Sequence, residues 1–169
     1  MKIGYLKSRS HGETDALLAG LAAELQHQGI AIAGLVQSRA PGPDSHPCDM
    51  DLTVIPSGQV ITIAQGLGAG AKGCRLDPEA LETAALEVEA SLDQNPGQNP
   101  ALLILNKFGP QECHGRGFCA AIASAIAKDI PVLTAVNDLN MPGFTAFTDG
   151  QATELPAELD QLLAWATGD

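Results

Sequence analysis

Two short stretches gather side chains able to hold an anion or move a proton. The first is Lys7-Ser8-Arg9-Ser10-His11-Gly12-Glu13-Thr14. It follows an apolar run and precedes a helical pattern, the place a GxxxxGK[ST] phosphate loop occupies. Laid on that pattern, Gly12 and Thr14 match, while Lys7 stands at the first glycine and Glu13 at the lysine. That lysine normally neutralises the outer phosphates of a nucleotide, and a carboxylate in its place repels them. A smaller anion remains acceptable, because a helix start offers free amides and a partial positive charge. Lys7, Ser8, Arg9, Ser10, Gly12 and Thr14 are therefore the expected ligand contacts in this loop. The plain alternative is a solvated loop in which Thr14 or Asp15 caps the helix.

The second stretch is the apolar ALLILNKF run continuing through GPQECHGRG, which delivers Asn106, Lys107, Glu112 and Arg116. Lys107, Arg9, Lys7 and Arg116 are expected to converge on one site, and a tetrahedral oxyanion needs donors of this kind. Otherwise Lys107 is a solvent-facing strand-end lysine and Arg116 pairs with Glu112 or Asp77. The competing enzymatic reading places Glu112 as base and Thr14 on magnesium. Arg75, in Gly73-Cys74-Arg75-Leu76-Asp77, is a further candidate contact or a counter-ion for the abundant carboxylates. No resident metal is expected, since no paired CxxC spacing occurs; the alternative ligand set is His46, Cys48, Cys113 and His114. His11 and His27 read as solvated, and Cys119 falls on a helix face.

These residues need elements to hold them. Met1 to Leu6 reads as a strand, Leu17, Leu18, Leu21, Ala22 and Leu25 as one helical stripe closed by Gly29, and Ile30 to Gln37 as a second strand. Two alternating runs around Pro56-Ser57-Gly58 predict an antiparallel hairpin. Asp77-Pro78 supplies an N-cap and a first-turn proline for the next helix. Ala101 to Leu105 and Pro131 to Val136 add buried strands, with Phe118, Ile122 and Ile126 marking the helix between them. Met141 to Phe147 reads as a loop, Pro156 as the start of a terminal helix, and Phe144 and Trp165 as packing residues around that helix. Strands alternating with helices imply one three-layer α/β/α domain over residues 1–169, with a mostly parallel sheet and an inserted β-hairpin.

Composition closes off other classes. With 20 Asp+Glu against 9 Lys+Arg, a net charge of -11 repels nucleic acid and anionic lipid. Apolar residues at 45% can fill a core, so disorder is not expected. The start carries no apolar leader and no segment approaches a membrane span, so a cytoplasmic location without membrane insertion is expected.

The strand ending in Asn106 and Lys107, with Gly109 and Glu112 after it, resembles the Walker B region of the cancer-related nucleoside triphosphatase family. There the strand ends in Asp-Glu. With Gln37, the Gly73 to Asp77 segment, NKFG, ECHGRG, PVLTAV and Trp165, the whole chain resembles the bacterial domain-of-unknown-function 2478 family. That resemblance implies a P-loop-NTPase-like fold with degenerate Walker A and Walker B motifs, and a genomic setting beside molybdate transport or nitrogenase genes. The expected function is non-hydrolytic binding or regulation through a small oxyanion, molybdate among them, or a nucleotide-like ligand. The alternatives are a divergent nucleoside triphosphatase or phosphotransferase using Glu112 with a magnesium nucleotide, and a partner-binding module with a vestigial pocket. The partners expected are a small anionic ligand and either a second copy of the chain or a transporter.

Overall fold

Aliphatic runs lacking helical spacing form the strands, and the segments with a 3.6-residue stripe cover them on both sides. The structure is a computed structural model and describes residues 2–8, 12–37, 50–66, 74–93 and 98–168. The order begins β1 (Ile3–Ser8), α1 (Glu13–His27), β2 (Ile32–Gln37), β3 (Met50–Ile55), β4 (Val60–Gly66), β5 (Cys74–Leu76) and α2 (Pro78–Ser91). It continues β6 (Leu102–Leu105), α3 (Pro110–Cys113), α4 (Cys119–Ala127), β7 (Val132–Asn137), α5 (Met141–Phe147), β8 (Thr153–Glu154) and α6 (Leu159–Thr167).

The sheet runs β5-β4-β3-β2-β6-β7-β1-β8. From β2 to β8 neighbouring strands are parallel, in registers such as Leu35 opposite Leu105 and Ser8 opposite Asn137. The expected hairpin is β3 with β4, its turn closed by Gly58 at φ 75°. β5 adds a third antiparallel strand on β4, too short for its pattern to show in the sequence.

Successive residues of a strand point to opposite faces, and β6 shows the division: Leu102 and Ile104 pack under α1 and α6, Leu103 and Leu105 under α2 and α4. The α1 face adds Leu6, Leu18, Leu21 and Leu162; the α2 face adds Leu35, Val88, Ile122 and Phe118. Truncating one such leucine to alanine costs about 2–5 kcal/mol, so both faces are needed to hold the strand ends in place.

Asp77 caps α2 as expected, accepting from the amides of Glu79 and Ala80 at 3.0 and 3.1 Å. Other local expectations are corrected. Neither Thr14 nor Asp15 caps α1; Gly12, left-handed at φ 89°, takes that position. Met141 to Phe147 is the helix α5 rather than a loop, with Pro142 in its first turn. The terminal helix starts at Leu159, not Pro156, because the Leu155 amide donates to the Tyr5 carbonyl and keeps the chain extended alongside β1. Phe144 lies on the opposite face from α6, edge-on to Tyr5 and Phe108 with ring centroids 5.2 and 5.0 Å away.

Candidate functional site at the carboxyl ends of the strands

In an open parallel sheet the crevice lies beyond the strands' carboxyl ends. Here Ser8, Asn137 and Asn106 end or follow β1, β7 and β6 side by side. Gly12 turns the chain into α1, whose first turn brings Thr14 back over β1, and the buried Thr14 hydroxyl donates to Ser8 Oγ at 3.3 Å. Lys7 Nζ lies 3.1 Å from Asp138 Oδ1, just past β7. Between α1 and the segment from β8 to α6 is a cavity of about 860 Å³ lined by Lys7, Glu13, Thr14, Leu17, Glu154 and Leu155. On β1, Tyr5 donates its hydroxyl to Glu154 at 3.2 Å; burial first, then the Glu154 charge, pushes the Tyr5 phenol upward. Among the described residues Lys7 is thus the one cation on this lining, with two carboxylates around it.

Lys107 does not face solvent alone. Its Nζ sits 3.2 Å from each carboxylate oxygen of Asp15, a side chain only 11% exposed in the first turn of α1. Asn106 is 3% exposed, and neither atom of its amide has a partner among the described residues.

Glu112 is used by the backbone. One of its oxygens accepts from the Gly109 amide at 2.8 Å and the other from the Phe118 amide at 3.0 Å, with the residue itself buried. It therefore ties the start of α3 to the start of α4, and Glu82 on α2 adds a third contact by accepting from the Gly117 amide at 3.1 Å. His114 Nδ1 lies 2.6 Å from the Pro110 carbonyl. Cys119 donates to the Glu112 carbonyl, and burial, followed by the charge of Glu112, pushes its thiol up to about 11.

The structure brings Lys7, Ser8 and Thr14 together at one mouth, with Gly12 at the start of α1, and ties Lys107 to α1 through Asp15, while Asn106 ends β6 with no bond to these residues among those described. Arg116 is exposed on the α3–α4 connection and forms no ion pair among the described residues; Glu112 is occupied and Asp77 caps α2. Arg75, of which only the backbone is described, sits on β5, six strands from β1. At roughly 4.8 Å per strand that is close to 30 Å, so Arg75 does not share the Lys7 mouth. Arg9, Ser10, His46 and Cys48 lie outside the described residues. Among the described residues no three His, Cys, Asp or Glu side chains converge as a metal cluster, Cys113 and His114 included. The sequence reading missed the parts played by Asp15, Asp138 and Glu154. An acidic first turn reads locally as a complement to the helix dipole, and nothing local signals a partner 92 residues away.

Comparison with known proteins follows the same lines. The family described as "Protein of unknown function (DUF2478)" matches residues 3–165. The Molybdenum import ATP-binding protein ModC 2 of Bradyrhizobium diazoefficiens is 34% identical over 164 residues, which is 97% of this chain and 18% of that protein. The chain thus spans less than a fifth of that relative's length. The solution structure of a human cancer-related nucleoside triphosphatase superposes with a TM-score of 0.65 at 17% identity, covering 92% of this chain and 88% of that one. The fold is accordingly P-loop-NTPase-like. No helix among the described residues is long and apolar enough to cross a membrane.

Proposed function

The chain belongs to the DUF2478 family, and from that premise we propose that it is a non-hydrolytic binding protein for a small oxyanion, acting beside molybdenum import. The observation that carries this reading is the charge exchange at the end of β6. A neutral, buried Asn106 and a Lys107 held by Asp15 stand where the resembling Walker B strand has Asp-Glu. A carboxylate at that strand end helps organise magnesium in P-loop hydrolases, and the nearby Glu112 has both oxygens on backbone amides.

Among the described residues on this lining, the cation available to an anion is Lys7. Its partner Asp138 is 79% exposed, and an exposed pair of that kind is worth about 0–1 kcal/mol, so an incoming oxyanion can displace it. Ser8 and Thr14 add hydroxyls, and the start of α1 adds amides. Glu13 and Glu154 on the same lining oppose a triphosphate, which carries more charge than one lysine offsets. The molybdenum connection rests on the name of the 34% identical relative. Because the matching segment is one part of that longer polypeptide, a chain of this kind also suits a partner of an ATP-binding import component, which is the second reading.

Calorimetry with molybdate, tungstate, phosphate and magnesium ATP, run beside a phosphate-release assay, tests the proposal. Saturable binding of one oxyanion without phosphate release supports it. Rapid ATP turnover sinks it in favour of the hydrolase that uses Glu112 and Thr14. Absence of binding by all four leaves the partner module.

A further inference from the structure

We propose that the Lys7 cavity is built for an oxyanion carried on an apolar organic body, a phosphomonoester of an aryl or alkyl alcohol, and that it disfavours nucleotides. This ligand class rests on the oxyanion reading of the site and narrows it. A tetrahedral oxyanion has five heavy atoms, fewer than benzene, which fits a cavity of about 150 Å³. The Lys7 cavity measures about 860 Å³, within the range of sites that enclose an organic molecule. A bare oxyanion would fill less than about a fifth of it.

The rest of the space has an apolar wall. Lys7, Glu13 and Thr14 supply the polar part of the lining, where the head group would lie. Ala16 and Leu17 of α1, with Leu155, Pro156 and Ala157 between β8 and α6, supply a second part that has no polar side chain. Its backbone is largely spent as well. The Ala16 amide donates to the Gly12 carbonyl at 3.0 Å, and Leu17 lies within the α1 ladder. The Leu155 amide donates to the Tyr5 carbonyl at 2.9 Å, and Pro156 has no N–H to offer.

This wall discriminates between kinds of body. A phenyl ring or alkyl chain laid on Leu17, Leu155 and Pro156 buries apolar surface and strands no polar group. A nucleobase carries ring nitrogens, amino groups and carbonyls that give up water here and meet no side-chain partner on the wall among the described residues. Glu13 and Glu154 on the same lining oppose a second phosphate, so the head is a single one.

The test is calorimetry on the intact chain with inorganic phosphate, molybdate, phenyl phosphate and AMP, repeated on Leu17→Asn. Phenyl phosphate should bind at least about fivefold more tightly than inorganic phosphate, because a ring is partly buried, and AMP should bind no more tightly than inorganic phosphate. Leu17→Asn should cut the ratio of phenyl phosphate to phosphate affinity below about twofold. Equal affinity for the two in the native chain overturns this ligand class and leaves the oxyanion reading in place, and that comparison needs no variant to fold. AMP bound more tightly than phenyl phosphate overturns it in favour of a nucleotide. An unchanged ratio in folded Leu17→Asn overturns it too, since the body then lies elsewhere. Binding by none of phosphate, molybdate and phenyl phosphate removes the oxyanion reading itself, and this class with it.

Discussion

Lys107 and Asp15 meet across 92 positions of sequence, with the ammonium 3.2 Å from both carboxylate oxygens. The contact ties the end of β6 to the first turn of α1, the two elements on which a P-loop-like site depends. Removing one member leaves the other charge poorly solvated. Lys107 is 40% exposed, so solvent screens part of the 3–5 kcal/mol typical of a fully buried pair, and Lys107→Met should cost about 1–2 kcal/mol. Urea denaturation of Lys107→Met, Asp15→Asn and the double variant checks this. The double variant should lose less than the sum of the singles, and strict additivity would mean the pair contributes nothing.

Glu112→Gln distinguishes a structural carboxylate from a catalytic one. The native side chain accepts from the amides of Gly109 and Phe118. Glutamine offers one oxygen and turns an NH2 toward the other amide, leaving a buried donor unpaired. A loss of about 2–3 kcal/mol is expected. A fall in melting temperature at unchanged, negligible phosphate release is the predicted result; lost turnover with intact stability would restore Glu112 as a base.

Gly117 tests the same clamp from the backbone side. It has φ 57°, and a Cβ there would collide with Glu112 Oε1. Gly115, at φ 72°, faces open space. Gly115→Ala should therefore cost only the left-handed backbone penalty of about 1 kcal/mol. Gly117→Ala should cost about 1–3 kcal/mol more, because the carboxylate must move off its amides. Equal midpoints in denaturant would show that the clamp is not tight.

The layers and most elements were legible because their signals are local: the leucine stripe of α1, the apolar run of β6, the Asp77-Pro78 start of α2 and the Pro56 to Gly58 turn all act within a few residues. β5 and β8, at three and two residues, have no periodicity to read and exist only through pairing with β4 and β1. The site was half legible. That Asn106 and Lys107 end a strand follows from pattern, and so does the Thr14 helix start. The ion pairs to Asp15 and Asp138, and the use of Glu112 by two amides, arise when distant segments close on one another. An acidic chain offers too many carboxylates for sequence to choose among them.

Cys119 gives a prediction in pH. Burial, with Glu112, Cys113 and Glu82 adding repulsion, raises its thiol from 9.0 to about 11. Between those values the unfolded chain gives up this proton while the folded chain keeps it. The contribution of this group to stability is therefore complete below pH 9 and declines as pH rises toward 11. Since the thiolate is the reactive form, iodoacetamide at pH 8 should label Cys119 on the order of a hundredfold more slowly in the native chain than in urea. Peptide mass spectrometry reads the two rates, and matching rates would place the thiol in free solvent.

Asp138 and Lys7 offer the sharpest handle on the proposed ligand. Their 3.1 Å contact engages the cation that lines the cavity, and any oxyanion that uses Lys7 must first outcompete an exposed carboxylate. Asp138→Ala removes that competitor without touching the cavity lining. Oxyanion affinity should then rise by about three- to tenfold, the equivalent of about 0.7–1.4 kcal/mol, in line with the small worth of a surface pair. Lys7→Ala should lower affinity by at least as much, and added salt should weaken binding to Asp138→Ala more than to the native chain, because the freed ammonium is screened directly. Calorimetry at two ionic strengths measures all three. If Asp138→Ala binds no better while Lys7→Ala binds no worse, the anion, wherever it sits, is not held by Lys7.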